Sequence, residues 1–193
     1  MAPRDSHVHA SYGTGEDRRV ALEIFKVEEG TLQAHWEASQ AWVPASESPN
    51  GRTLVQGATE VRRHDLTEEN RAIAGEFLTV VLGEGHYDRM PEYIGSSYLQ
   101  YNPAIQDHAQ GTANYLASVQ AAGNVIAVTN TEYLIAEGNF VLAASEGYFG
   151  ASESDYAIFY DLFQVEAGKL VAHWDVIPTL PSLDELPHDN GFL

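Results

Sequence analysis

The chain has 193 residues, 44% of them apolar, no cysteine, and a formal net charge of −18 at pH 7. That length suits one domain, or one domain with an appendage, and can bury a good core. The absence of cysteine excludes disulfides, thiolate nucleophiles and cysteine-ligated metals, and the acidic surface repels phosphate backbones and anionic lipid, so neither nucleic acid nor membrane is an expected partner. The start, MAPRDSHVHA, has no apolar core of the kind a signal peptide needs. No run of residues is apolar enough to span a bilayer, and the expected compartment is the cytoplasm.

Residues 1–43 read as β-rich, with strands near Val8–Tyr12, Val20–Val27 and Leu32–Val43. Glu28-Glu29-Gly30-Thr31 makes the turn between the last two. His7 and His9 are two apart and would share one face of a strand. No third metal ligand is placed with them, so a solvated strand end is the reading. Residues 44–64, PASESPNGRTLVQGATEVRRH, have a linker's composition.

A helix follows at about Leu66–Leu82, with Asp65 or Thr67 as its cap and Ile73, Phe77, Val80 and Val81 on one face. A short second helix fits Asp88–Ile94, with Pro91 in its first turn. The aromatic stretch YIGSSYLQYNP comes next, then a third helix at about Thr112–Ala122. Beyond it the period changes to two: Val125–Ala136, Val141–Phe149, Tyr156–Glu166 and Lys169–Ile177 read as long antiparallel strands. The tail, residues 179–193, carries two prolines, with Pro178 just before it, and reads as an extended arm. Three helices and a meander predict an α+β fold in which the helices cover one face of a curved sheet and leave a pocket.

The last hairpin, residues 156–178, holds the densest group of reactive side chains: Asp161, His173, Trp174 and Asp175. A partial copy lies at residues 22–38, LEIFKVEEGTLQAHWEA, where Phe25, Gly30, His35 and Trp36 match Phe163, Gly168, His173 and Trp174. We read a duplicated unit whose first copy holds only the last part of a domain. If the second hairpin turned on two residues without a bulge, Asp161 would pair with Trp174 and Tyr160 with Asp175. His173 and Asp175 would then face away from Asp161, unless a bulge shifted the register. In the tandem arrangement residues 8–43 would lie against the main sheet or cross to a second chain.

Four segments, NRAIAGEFLTVVLGEG, YLQYNPAIQD, AEGNFV and YDLFQVEAGKLVAHWDVI, resemble the SnoaL-like polyketide cyclase branch of the nuclear-transport-factor-2-like superfamily. The resemblance covers about residues 66–178. It implies a cone-shaped α+β barrel (a cystatin-like roll), a pocket between helices and sheet, and a homodimer formed through the sheet. It also implies acid–base ring closure of the aldol type on a small apolar ligand, with no cofactor and no metal. Asp175 matches the family's acid–base carboxylate, and Asp161 a polar pocket position. The family's Gln-His-Asn-Pro stands here as Gln100-Tyr101-Asn102-Pro103, and its later Asp-Gly as Asp107-His108.

The expected site is therefore Asp175 as the acid–base group, with Tyr101, Asn102, Asp161, His173 and Trp174 around the substrate. Each has a plainer reading beside it. Asp175 could be a structural carboxylate at an interface, and Asp161 a hydrogen-bond acceptor for Trp174. His173 could be a satisfied sheet histidine, Tyr101 a pocket-wall aromatic, and Trp174 core. The competing functional class is a non-catalytic binding or assembly module on the same cone.

Overall fold

The computed structural model describes residues 4–186 and 191–193. Three antiparallel strands open the chain: β1 (Arg4–Tyr12), β2 (Arg19–Glu28) and β3 (Thr31–Ala41), in the order β1-β2-β3. A second sheet has the order β4-β8-β7-β6-β5 and comprises β4 (Ile94–Gln100), β5 (Val125–Glu137), β6 (Phe140–Gly150), β7 (Tyr156–Glu166) and β8 (Lys169–Val176). Its helices are α1 (Thr67–Glu76), α2 (Met90–Tyr93) and α3 (His108–Ala121). No helix among the described residues is long and apolar enough to cross a membrane. This is the α+β architecture the alternating pattern predicts, with helices on the inner face of a curved, mostly antiparallel sheet.

Curvature has local causes. In β5 two register shifts, at Val128/Asn130 and Thr131/Tyr133, each leave one extra residue, and such bulges bend a strand and tighten its twist. The residues α1, Leu116 of α3 and the inner faces of β6 and β7 then close on one core, with Leu78, Val81, Phe163 and Leu170 fully buried. Helix α1 runs directly into a π-helical turn, Phe77–Gly83, which puts Leu78 inward beside Phe77 and Val81. The predicted caps are not used. Thr67 donates to the carbonyl of His64 and accepts the Gly138 amide, while Asp65 pairs with Arg63.

One strand is absent from the reading of the sequence. The segment Ile94–Gln100 is β4, laid parallel beside β8 at the edge of the sheet. Its Gly95-Ser96-Ser97 stretch hides the alternation, because only Tyr98 and Gln100 are fully buried after it.

The first sheet lies against the outer face of the second. Val20, Leu22, Ile24 and Ala38 of β2 and β3 join one buried cluster with Leu142, Ala144, Ile158, Tyr160, Leu162 and Trp174. Each Val, Leu or Ile buried this fully contributes about 2 kcal/mol. Trp36 packs on Tyr133 at 4.8 Å between ring centroids, and Gln40 accepts the Ile177 amide. The outer face, on which a sheet-mediated homodimer was expected, is thus occupied by the chain's own first sheet.

Candidate functional site

Both long hairpins turn through two left-handed residues, Ala167-Gly168 in the second and Glu29-Gly30 in the first. This turn twists with the strands it joins, and Gly adopts its second position without strain. The register that follows differs from the bulge-free expectation. Val165 pairs with Leu170 but Gln164 pairs with Ala172, so Val171 is an extra residue in β8. Asp161 consequently faces Asp175, Phe163 faces His173 and Leu162 faces Trp174. The bulge resolves the conflict of faces. Asp161, His173 and Asp175 all point to the helix side, and Tyr160, Leu162, Trp174 and Val176 point to the first sheet.

These three polar groups line a cavity of about 60 Å³ between helices and sheet. They are almost wholly buried, with exposures of 5%, 8% and 5%. One donor atom from each lies within 4.8 Å of the others. Apolar walls come from Phe77, Leu116, Ile126, Val128, Phe159 and Ile177, while Tyr98 and Tyr115 bring hydroxyls.

Hydrogen bonds fix the state of the imidazole. His173 Nε2 is 3.0 Å from Asp161 Oδ1, and Nδ1 is 3.1 Å from Gln100 Oε1. That amide oxygen also accepts the Asn102 N–H at 3.3 Å, which sets the amide's orientation. Both ring nitrogens therefore face acceptors, and the arrangement favours an imidazolium held by a carboxylate. Burial alone would lower the His173 pKa, but the Asp161 hydrogen bond and the charges of Asp175 and Asp161 outweigh it and raise it.

Asp175 is held differently. Asn102 Nδ2 donates to both of its oxygens at 2.7 Å. Burial pushes the Asp175 carboxyl up to about 6, with His173 and the Asn102 hydrogen bond pulling the other way and Asp161 adding to the rise. Asp161 Oδ2 has no hydrogen-bond partner although it is buried. The cluster thus holds one carboxylate tied to an imidazolium and a second that titrates near neutrality. Such a pair separates a fixed charge from a mobile proton.

A His flanked by two carboxylates is also a donor set that can hold a divalent cation, and Glu23, His35 and Glu37 of the first hairpin form a second. In the buried set, a cation at Nε2 would have to replace the Asp161 hydrogen bond.

The remaining expected site residues separate from the cavity. Tyr101 and Trp174 stack on each other at 4.5 Å on the opposite side of β8 and belong to the core shared with the first sheet. The indole N–H of Trp174 donates to the Gln56 carbonyl, so Asp161 is not its acceptor. Asn102 stands behind Asp175 and reaches it by its side-chain amide. Trp42 lies away from the cavity, under the Arg18 guanidinium at 3.4 Å. The side chain of His7 is outside the described residues, and His9 faces residues 55–61 and Trp174.

Tyr98, Gln100 and Thr112 line the cavity without having been singled out in the sequence. Tyr98, Gln100 and Asn102 are spaced by two, the signal of a strand with one face inward. His108, standing where the resembling family reads Gly, has a left-handed φ of 69°, the conformation a glycine adopts without strain.

No family model matches the chain, and no curated protein matches it to a significant degree. Solved structures with similar backbones include TsrD from Streptomyces laurentii, at 21% identity and a TM-score of 0.45 over 69% of this chain and 100% of that one. A SnoaL-like polyketide cyclase from Agrobacterium tumefaciens aligns at 12% identity and a TM-score of 0.45, covering 57% of this chain and 91% of that one. A protein of unknown function with a cystatin-like fold from Xanthomonas campestris aligns at 16% identity and a TM-score of 0.46, covering 57% and 91%.

Proposed function

We propose that this chain is a cofactor-independent acid–base enzyme acting on a small, largely apolar carbonyl compound, with Asp175 as the base. The observation that carries the reading is the position of Asp175. It is a buried carboxylate on a cavity wall, beside an imidazolium already committed to Asp161 and Gln100. Its carboxyl titrates near 6, so at neutral pH it is ionised, yet basic enough to take a proton from a carbon next to a carbonyl.

The enolate oxygen formed by that transfer needs donors and positive charge. Burial raises the pKa of Tyr98 and Tyr115, keeping both hydroxyls protonated and able to donate. The His173 imidazolium adds a fixed positive charge beside the reacting carbon. Where the enolate is conjugated with a further double bond, Asp175 returns the proton to the γ-carbon and the double bond shifts; otherwise the enolate carbon attacks a second carbonyl of the same molecule, and the alkoxide so formed takes the proton back from Asp175. These outcomes are isomerisation and aldol-type cyclisation respectively. The small volume fits a molecule of a few non-hydrogen atoms or the reactive end of a larger one.

Incubating the protein with simple ketones and aldehydes in D2O tests the proposal by NMR. The α-hydrogens should exchange faster than in buffer alone, and Asp175→Asn should remove that acceleration. Exchange unaffected by Asp175→Asn would sink the assignment.

A further inference from the structure

The segment between the two sheets, residues 44–64, has the composition of a linker, but part of it is buried, Ser48 and Leu54 included. It crosses from β3 to the loop that follows β4. There Asn50 donates through Nδ2 to two carbonyls, Asn102 at 2.7 Å and Ile105 at 2.9 Å. The same side chain accepts from Ser48 and from the Arg52 amide through Oδ1, so its amide is fixed at both ends.

Arg52 Nη1 lies 2.8 and 2.9 Å from the two oxygens of Asp107, and Asp107 Oδ1 also accepts the Gln100 amide at 2.9 Å. Two residues of this segment therefore grip the loop carrying Gln100 and Asn102, which hold His173 and Asp175. Gly57, at φ +111°, lies so close to the Tyr101–Trp174 stack that a Cβ there would come within 2.5 Å of Trp174. The segment seats flat against the back of β8.

The same crossing occurs in the other direction. Residues after β8 return to the first sheet, where Leu180, Phe192 and Leu193 pack on the shared core. Asn50-Gly51 recurs in the sequence as Asn190-Gly191, and both glycines are left-handed. Each hairpin is followed by a segment that docks on the other unit.

We propose that Asn50 and Arg52, supplied by the segment trailing the first hairpin, are positioning residues that hold Asn102 and Gln100 against Asp175 and His173. The first unit thereby completes the site of the second, as a partner subunit would, but within one chain. This inference rests on the Asp175 reading above for its functional meaning, and its test reads geometry rather than turnover.

The test is a 13C NMR titration of the Asp175 carboxyl in the full chain. Asn102 holds the ionised form of Asp175, so Asn102→Leu should raise its midpoint by about one pH unit. Asn50→Ala and the charge-conserving Arg52→Lys should each move it the same way, by about half as much. Combined with Asn102→Leu, either should add almost nothing, as expected of residues acting through one another. Arg52→Lys keeps the test alive if Asn50→Ala does not fold, because lysine retains the charge while its Nζ ends about one bond short of the position from which Nη1 reaches both Asp107 oxygens. A midpoint that moves in Asn102→Leu but stays at the wild-type value in both other variants overturns the positioning role and leaves Asp175 as the base. Full additivity of the double variants overturns it as well.

Discussion

The two hairpins carry two carboxylates and an imidazole on the same strand positions, yet only one of them buries the three on a cavity wall. Glu23, His35 and Glu37 hold the places of Asp161, His173 and Asp175. Each hairpin has the same left-handed turn and the same one-residue bulge, at Gln33 in the first and Val171 in the second. Each stacks its His on a Phe, at 4.5 Å for Phe25–His35 and 4.9 Å for Phe163–His173. The first triad is partly open to solvent, with side-chain exposures of 45% for His35 and 23% for Glu23, because no helix among the described residues covers that face. Burial under the π-helical turn Phe77–Gly83 and α3 is therefore what separates a surface ion pair from a buried set in which one carboxyl is pushed up to about 6. The triad by itself is a pattern common to both hairpins, and the helical cover is what buries one copy of it.

The strongest way to break this comparison is at the carboxylate. Asp175→Asn should lower α-hydrogen exchange by about a hundredfold or more, whereas Glu37→Gln should leave it unchanged. Equal losses in the two would remove the distinction between the hairpins. Next in size is the loss of the shared core. Removing residues 1–45 uncovers the outer face of the main sheet, and the shortened chain should self-associate or unfold at lower temperature; unchanged size and melting behaviour would contradict the sheet packing.

The imidazoles should differ by a smaller, still clear margin. His173→Ala leaves Asp161 and Asp175 buried without their cation and should cost roughly 3 kcal/mol in denaturant unfolding. His35→Ala breaks an exposed pair and should cost at most about 0.5 kcal/mol.

Acidity sharpens the same contrast. The unfolded Asp175 carboxyl titrates near 3.8 and the folded one near 6. Between these values the folded chain keeps a proton that the unfolded chain has released. The resulting stability is complete below 3.8 and is lost as the pH rises through 6, on the order of 3 kcal/mol in total. His173, also raised, contributes below its unfolded value of 6.5 and loses that contribution as the pH passes its folded value. Unfolding free energies measured from pH 4 to 7 should therefore fall more steeply in the wild type than in Asp175→Asn, and parallel curves would contradict the burial argument. The smallest effect concerns the turns, which are alike in the two units. Ala167→Gly and Glu29→Gly should each stabilise by about 0.5 kcal/mol, since both residues occupy left-handed positions; a large difference between them would mean the turns are not equivalent.

Much of this was legible in the residues. Helical spacing of Ile73, Phe77 and Val81 and the period of two after Gly123 together predict the fold, and the shared His-Trp offset marks the likeness of the two hairpins. The faces of the last hairpin were not legible. Strand parity places Asp161 and Asp175 apart, and only the extra residue at Val171 brings them together. No side chain at Val171 announces that bulge, although the first hairpin has one at the corresponding position, Gln33. Trp174 looked like part of a reactive cluster because it lies between His173 and Asp175 in sequence, but neighbours on a strand point to opposite faces. The reach of Asn50 and Arg52 was hidden for another reason. A Pro, Ser and Gly composition describes irregular backbone, and irregular backbone can still be anchored by a few side chains.

The central claim is that burial makes Asp175 a base poised near neutrality. The most direct measurement is the titration of its carboxyl carbon by NMR, assigned by the signal lost in Asp175→Asn. The account predicts a midpoint near 6. A midpoint at the ordinary 3.8 of a solvated aspartate would contradict it.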